Sequence, residues 1–150
     1  MQLPQGNFGG PILDLGFQRQ QRYNARATTT RDKVAMHKVL LFMKRRKGLS
    51  FNAFRAYYEI RHVPLCMAYV GDAKRYVRRY LEPRKGEPEP EFDVITELWF
   101  EDRVAVDGLL KTLRKDALPA EVIADEEKLF DRSKTRAFVV TEAETALSAG

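Results

Sequence analysis

The segment Phe92 to Phe100 constrains the fold more than any other, because it alternates with the period of a β-strand. Phe92, Val94, Thr96, Leu98 and Phe100 fall on one side and make a core-facing surface. Asp93, Ile95, Glu97 and Trp99 fall on the other, a mixture of carboxylates and an indole that suits a pocket wall better than open solvent. A second alternating segment, Lys74 to Leu81, puts Tyr76, Arg78 and Tyr80 on one side and Arg75, Val77, Arg79 and Leu81 on the other. The apolar run Val39 to Met43 and the segment Arg136 to Thr141 supply two further strands.

Helical signals lie between these strands. Ser50 stands in N-cap position, and Phe51, Phe54, Tyr57, Tyr58 and Arg61 recur at three and four residues. Pro64 is expected to end or kink this helix near His62–Val63. Asp102 caps a second helix running through Leu113, with Val106, Leu109, Leu110 and Leu113 as its apolar stripe. Pro119 opens a short third helix carrying Val122, Ile123, Leu129 and Phe130. The order β-α-β-β-α-(α)-β predicts a ferredoxin-like α+β sandwich, an antiparallel sheet with helices on one face. Its other face needs a cover. Tyr76, Tyr80, Ile95 and Trp99 are expected there, too much aromatic surface to leave in water. The expected partner is a second copy of the chain, sheet to sheet, enclosing a cavity between the sheet and the helix ends.

Residues 1–36 lack this patterning. They read as a flexible N-terminal extension, or as an over-long start before Met36. Their Arg-rich, acidic-poor character leaves a transit peptide open, but they have no strong apolar core for a secretory signal. The folded domain is expected over residues 37–143, with a small polar tail at 144–150.

Composition removes several classes. No apolar run reaches 18 residues, so no membrane span is expected. One cysteine, Cys66, permits no internal disulfide and fits a reducing cytoplasm. The two histidines, His37 and His62, cannot make a three-His metal site, and no metal or other cofactor is expected. Residues 1–90 carry 18 basic and 7 acidic side chains, and residues 91–150 carry 8 and 14. A basic half can attract nucleic acid or complement an acidic neighbour. However, Asp93 and Glu97 on the third strand would repel phosphate, which argues against RNA binding on the sheet.

The run from Lys38 to Leu65 contains a strand, a basic-Gly-Leu-Ser turn, Phe54-Arg-Ala-Tyr57-Tyr58 on a helix, and His62-Val-Pro64-Leu65. In this it resembles the opening of the EthD family, named after a protein of ethyl tert-butyl ether degradation. The strand ending in Trp99-Phe100, with Asp93 and Glu97, is similar too, and the likeness extends over about residues 37–142. The resemblance implies a dimeric α+β barrel with a pocket in each subunit and His62 at the pocket mouth. The wider group holds muconolactone isomerases, polyketide cyclases and dehydratases, and cofactor-independent oxygenases, so it implies a fold more firmly than a reaction.

On this reading His62 is the candidate base, since imidazole takes and gives protons near neutrality. Tyr58 lies one helical turn away on the same face. Tyr76 and Tyr80 offer phenols to a substrate carbonyl, and Arg78 between them offers a cation to an enolate or carboxylate. Asp93 and Glu97 stand roughly 13 Å apart along the strand, too far to share a proton. One of them can orient His62 or act as a base while the other pairs with an arginine. Ile95 and Trp99 would complete the substrate-binding wall. The plainer alternatives are a His62 that bonds a helix-end carbonyl, an aromatic ladder across strands, ion-paired carboxylates, and a Cys66 that is a buried, inert thiol.

The expected function is cofactor-independent proton transfer by His62 on a small hydrophobic cyclic or aromatic substrate, of the lyase (dehydratase), cyclase or isomerase type. A cofactor-free monooxygenase using the same base is the first alternative. A non-catalytic module binding a small ligand is the second.

Overall fold

The computed structural model describes residues 35–147. Most of the expected extension over residues 1–36 and the end of the 144–150 tail lie outside the described residues. Strand β1 (His37–Met43) forms from the apolar run and stops where Lys44 to Gly48 turn the chain, with Gly48 at φ 86°. Ser50 then caps helix α1 (Phe51–Tyr57), its hydroxyl accepting from the Ala53 N–H at 3.2 Å.

The helix does not end at Pro64. It widens into a π-helical turn over Tyr58–His62 and continues as α2 (Val63–Met67). The Val63 N–H reaches back five residues to the Tyr58 carbonyl. Pro64 has no N–H to give to the preceding turn, and the wider register accommodates that loss without breaking the helix. The expected end or kink near His62–Val63 takes the form of a π-bulge.

Strands β2 (Arg75–Tyr80) and β3 (Val94–Phe100) follow. Helix α3 (Arg103–Arg114) is capped by Asp102, whose carboxylate accepts from the Val104 N–H at 2.8 Å. Helix α4 (Ala120–Leu129) starts after Pro119, and β4 (Arg136–Val140) closes the fold. The sheet order is β2-β3-β1-β4 with every neighbour antiparallel, the ferredoxin-like α+β arrangement expected. Among the described residues no helix is long and apolar enough to cross a membrane.

Register decides which side chains meet. Val39 pairs with Leu98 and Val139, and Tyr76 also pairs with Leu98. Val39, Leu98, Val94, Thr96 and Phe100 face the helices, and so do Tyr76, Arg78 and Tyr80. The expectation that Tyr76 and Tyr80 share the uncovered face with Ile95 and Trp99 is therefore corrected. Both tyrosines pack against the helix-side core. Phe92 also departs from the simple alternation. It precedes β3 and packs edge-on against Phe42, 5.4 Å between ring centroids, on the opposite side of the sheet.

Two buried clusters hold the layers together. One joins Phe54 and Tyr58 to Met43, Val94, Leu129 and Phe130; the other joins Val39, Leu98, Phe100 and Val106. Each fully buried side chain of this size contributes about 1.5–3 kcal/mol. Phe54, with no exposed surface, would cost about 3–5 kcal/mol if truncated to alanine.

On the uncovered face Phe42 packs edge-on against Phe138 at 5.7 Å. Trp99 is sandwiched by the side chains of its two register partners, with Lys38 Nζ 3.7 Å and the Arg75 guanidinium 4.2 Å from the ring. Its indole N–H is buried with no acceptor among the described residues.

Candidate active site

Between the two clusters lies a cavity of about 410 Å³, within the usual range for small-molecule sites. The sheet supplies Leu41, Thr96, Leu98 and Tyr76 to its wall, and the helices supply Tyr58, His62, Cys66, Leu109 and Val122. Most of this lining is apolar; Tyr58, His62, Thr96 and Tyr76 make one polar end, and Asp72, Thr112 and Glu126 are further polar residues of the wall.

His62 is the centre of that end, with only 3% of its surface exposed. The π-bulge turns Tyr58 and His62 inward together, their rings edge to face at 4.9 Å. His62 Nδ1 lies 2.8 Å from Asp125 Oδ2. A carboxylate only accepts, so Nδ1 carries a proton, and in the neutral imidazole the lone pair lies on Nε2. The other Asp125 oxygen accepts from the Tyr57 hydroxyl at 2.7 Å. That bond to the carboxylate is the main reason the Tyr57 phenol is held above its ordinary range, with burial adding to it. Nε2 stands 3.3 Å from Cys66 Sγ.

Two phenols complete the polar end. The Tyr58 and Thr96 hydroxyls are 2.7 Å apart. Burial drives the Tyr58 phenol well above its ordinary range, and neighbouring Tyr76 adds to the shift. Tyr76 is pushed up by burial first and by Cys66 second. Both stay protonated through the neutral range, so both remain hydrogen-bond donors.

The remaining residues singled out by sequence lie elsewhere. Tyr80 and Arg78 share the helix-side face but close on Glu59. The guanidinium donates at 3.0 and 2.7 Å to the two carboxylate oxygens, and the phenol donates at 2.7 Å to one of them. Arg78, first, and then Tyr80 hold the Glu59 carboxyl below its ordinary range, against the effect of burial.

Asp93 is 2% exposed and occupied by cations. Its oxygens lie 2.9 Å from the Arg45 N–H, 3.2 Å from Arg45 Nε and 3.1 Å from Lys44 Nζ. Glu97 pairs with Arg79 at 2.8 Å. Glu97, Ile95 and Trp99 belong to the sheet side away from the cavity, and Asp93, just ahead of β3, does not line it either. The carboxylate that orients His62 is Asp125, and neither Asp93 nor Glu97 reaches it.

Asp125 carried a readable signal. Helix α4 buries Val122 and Leu129, and Asp125 falls on the stripe between them, where an apolar residue is the usual occupant. Cys66 carried one as well, four residues after His62 and thus one turn along the same face. Among the described residues no three His, Cys, Asp or Glu side chains converge to hold a metal ion.

The family model described as the EthD domain matches residues 46–133. No curated protein matches the chain. Among solved structures, an EthD-like protein from Ralstonia eutropha JMP134 is similar at 20% identity, over 70% of this chain and 87% of that one, with a TM-score of 0.47. An EthD family protein from Bacillus halodurans C-125 is similar at 16% identity, over 73% of this chain and 100% of that one, with a TM-score of 0.48. A Bacteroides fragilis protein described as dimeric, of unknown function and with a ferredoxin-like fold is 14% identical over 70% of this chain and 92% of that one, with a TM-score of 0.37.

Proposed function

The chain belongs to the EthD domain family, and we propose that it is an enzyme that moves protons on a small hydrophobic cyclic or aromatic substrate held in the cavity, with His62 as the base. The observation that carries this reading is the His62–Asp125 pair, whose imidazole lies on the wall of a mostly apolar cavity. With Nδ1 protonated and held by Asp125, the Nε2 lone pair is the basic site. The Cys66 sulfur stands 3.3 Å from Nε2 and 3.9 Å from Nδ1, so it lies against the ring face and leaves the in-plane lone pair to the substrate.

The proposed step uses these groups in turn. Nε2 takes a proton from the carbon next to a substrate carbonyl, and the electron pair moves onto the carbonyl oxygen. Asp125 stabilises the imidazolium that forms. The Tyr76 and Tyr58 phenols donate to the enolate oxygen in surroundings where hydrogen bonds are stronger than in water. The imidazolium then returns the proton to another atom of the substrate. Return to a different carbon is isomerisation, and return to a departing hydroxyl is dehydration. Reaction of the carbanion with oxygen would give the cofactor-free monooxygenase instead, from the same base.

We further propose that a second copy covers the open sheet face, where Phe42, Phe138 and the unsatisfied Trp99 N–H lie. The test of function is turnover of a panel of lactones, hydroxyketones and polyphenols, without added cofactor, in air and under argon. Turnover in both gases that vanishes in His62→Ala is the expected result. Turnover only in air moves the chain to the oxygenases. Equal binding by both proteins with no conversion makes it a ligand-binding module.

A further inference from the structure

A second cavity adjoins the one that holds His62. It has a volume of about 630 Å³ and lies between the end of α3, the short 3-10 turn Arg132–Lys134 and the start of β4. Leu41, Met43, Leu113, Leu118 and Glu126 line both cavities, so the boundary between them is mainly apolar. The inner cavity holds the imidazole and the phenols, and the outer one holds Arg114, Arg132 and Arg136.

These arginines are not equivalent. Arg132 engages both carboxylates of the outer wall, donating from Nε to Glu126 at 2.9 Å and from a terminal nitrogen to Asp116. Arg114 and Arg136 pair with no carboxylate among the described residues. Arg114 ends α3 and donates from Nε to the Leu110 carbonyl at 3.3 Å. Arg136 is the register partner of Phe42, but it begins an edge strand, and its guanidinium turns back to the Ser133 and Thr135 carbonyls at 3.1 and 2.9 Å. Ser133 and Thr135 both line the outer cavity. Each of these two guanidinium groups has five N–H donors, so most remain for a ligand.

We propose that the outer cavity takes a carboxylate carried on an apolar arm of the substrate, with Arg114 and Arg136 selecting it while the ring lies beside His62. The inference rests on the reading of the inner cavity as the substrate site and narrows the substrate to hydrophobic cyclic or aromatic carboxylic acids. A guanidinium matches a carboxylate with N–H donors in one plane. The outer wall carries three guanidinium groups against two carboxylates, a surplus of one positive charge that suits a monoanion better than a phosphate dianion. Arg132 is spent on Asp116 and Glu126, which keeps those carboxylates from neutralising the other two arginines. Leu41, Leu113 and Leu118 at the boundary favour an arm of methylene groups over a polar one.

The test is binding, which needs no turnover. The full chain is titrated calorimetrically at neutral pH and low ionic strength with 2-naphthylacetate, 4-(2-naphthyl)butanoate and 6-(2-naphthyl)hexanoate, and with the primary amide of each. The amide keeps the shape and removes the charge. At least one acid is expected to bind tenfold or more tighter than its amide, with the preference shrinking as salt is added. In Arg114→Gln/Arg136→Gln the preference is expected to fall below threefold while amide affinity stays within twofold. Arg84→Gln/Lys85→Gln, which removes the same charge from the exposed loop between β2 and β3, is expected to keep it. Acid and amide are both expected to shift the imidazole nitrogen resonances of His62, one of two histidines in the chain, and not those of His37.

Equal affinity of every acid and its amide overturns the proposal. So does a preference that survives in the folded double arginine variant, or one that falls equally in the loop control. Binding that leaves the His62 resonances in place overturns it too, since the two cavities would not then share one ligand. Turnover in the substrate panel without any acid preference rejects this proposal and leaves the proton-transfer reading standing. The acid preference without turnover does the reverse.

Discussion

His62 Nδ1 and Asp125 Oδ2 meet at 2.8 Å although 63 residues separate them in the chain, one on the π-bulge and the other on α4. The contact sets the imidazole tautomer, so its removal tests the base directly. Asp125→Asn can present an amide N–H to Nδ1, which reverses the tautomer and places the proton on Nε2. Turnover of any substrate the chain converts is expected to fall about 10²–10⁴-fold. Tyr57→Phe removes only the second bond to Asp125 and is expected to cost less than about tenfold. Steady-state rates of the two variants, with circular dichroism to confirm folding, check the order.

The two cavity phenols are expected to separate stability from activity. Tyr58→Phe leaves the buried Thr96 hydroxyl without its partner, at a cost of about 1–3 kcal/mol in unfolding free energy. Tyr76→Phe removes a less deeply buried hydroxyl that lies against Tyr58 and Cys66, and is expected to lower kcat with a smaller change in melting temperature. Urea titration and kcat for both variants test this. An equal effect on both quantities in Tyr76→Phe would remove its assignment as a donor to the substrate.

The layer order was legible because strands with period two and helices with apolar stripes leave separate marks. Val94, Leu98 and Phe100 fell on the core side as the alternation required. Which face of β2 meets which face of β3 was not legible, because register depends on strand pairing and not on either strand alone. A shift of one residue moves Tyr76 and Tyr80 across the sheet, which is how they came to be expected beside Trp99. Pro64 marked the interruption near His62–Val63 but not its form, since a π turn can absorb a missing N–H that an α-helix cannot. The His62–Asp125 contact is tertiary, and its only trace in the chain is a carboxylate on an otherwise apolar stripe.

Asp93 is expected to behave as a structural anchor. It is buried and holds Lys44 and Arg45 at the turn that follows β1. Asp93→Ala strands those cations in partly buried positions, at about 3–5 kcal/mol. The melting temperature is expected to drop while kcat per folded molecule changes less than about twofold, in contrast to His62→Ala. A loss of kcat in a fully folded Asp93→Asn would return this residue to the catalytic set.

Acid sensitivity is expected to involve Glu59. Arg78 and Tyr80 hold its folded-state pKa below the ordinary 4.5. A lowered carboxylate pKa contributes stability above the unfolded value, and that contribution is lost as pH falls through the folded value. With 36% of the Glu59 side chain exposed, solvent screening keeps the effect below about 1 kcal/mol. Wild type is expected to exceed Glu59→Gln in stability above pH 4.5, with the gap closing as pH is lowered further. Melting curves from pH 2 to pH 7 test the sign. A gap that widens in acid would contradict it.

The uncovered sheet face makes the last prediction. Phe138 is 52% exposed there and Val104 is 74% exposed on α3, so exposure alone does not distinguish two surface apolar residues. Their surroundings do. Phe138 continues into Phe42 and Phe92 on the sheet face that also carries the unsatisfied Trp99 N–H, whereas Val104 stands on the helix layer. A second sheet would bury the Phe138 patch, over about 800 Å² per copy for an interface of ordinary size. Phe138→Glu would place an unpaired charge in that contact and weaken self-association by at least about tenfold. Val104→Glu is expected to leave it unchanged. Sedimentation equilibrium on the three proteins decides: a monomeric wild type, or equal effects of the two substitutions, would move the interface off this face.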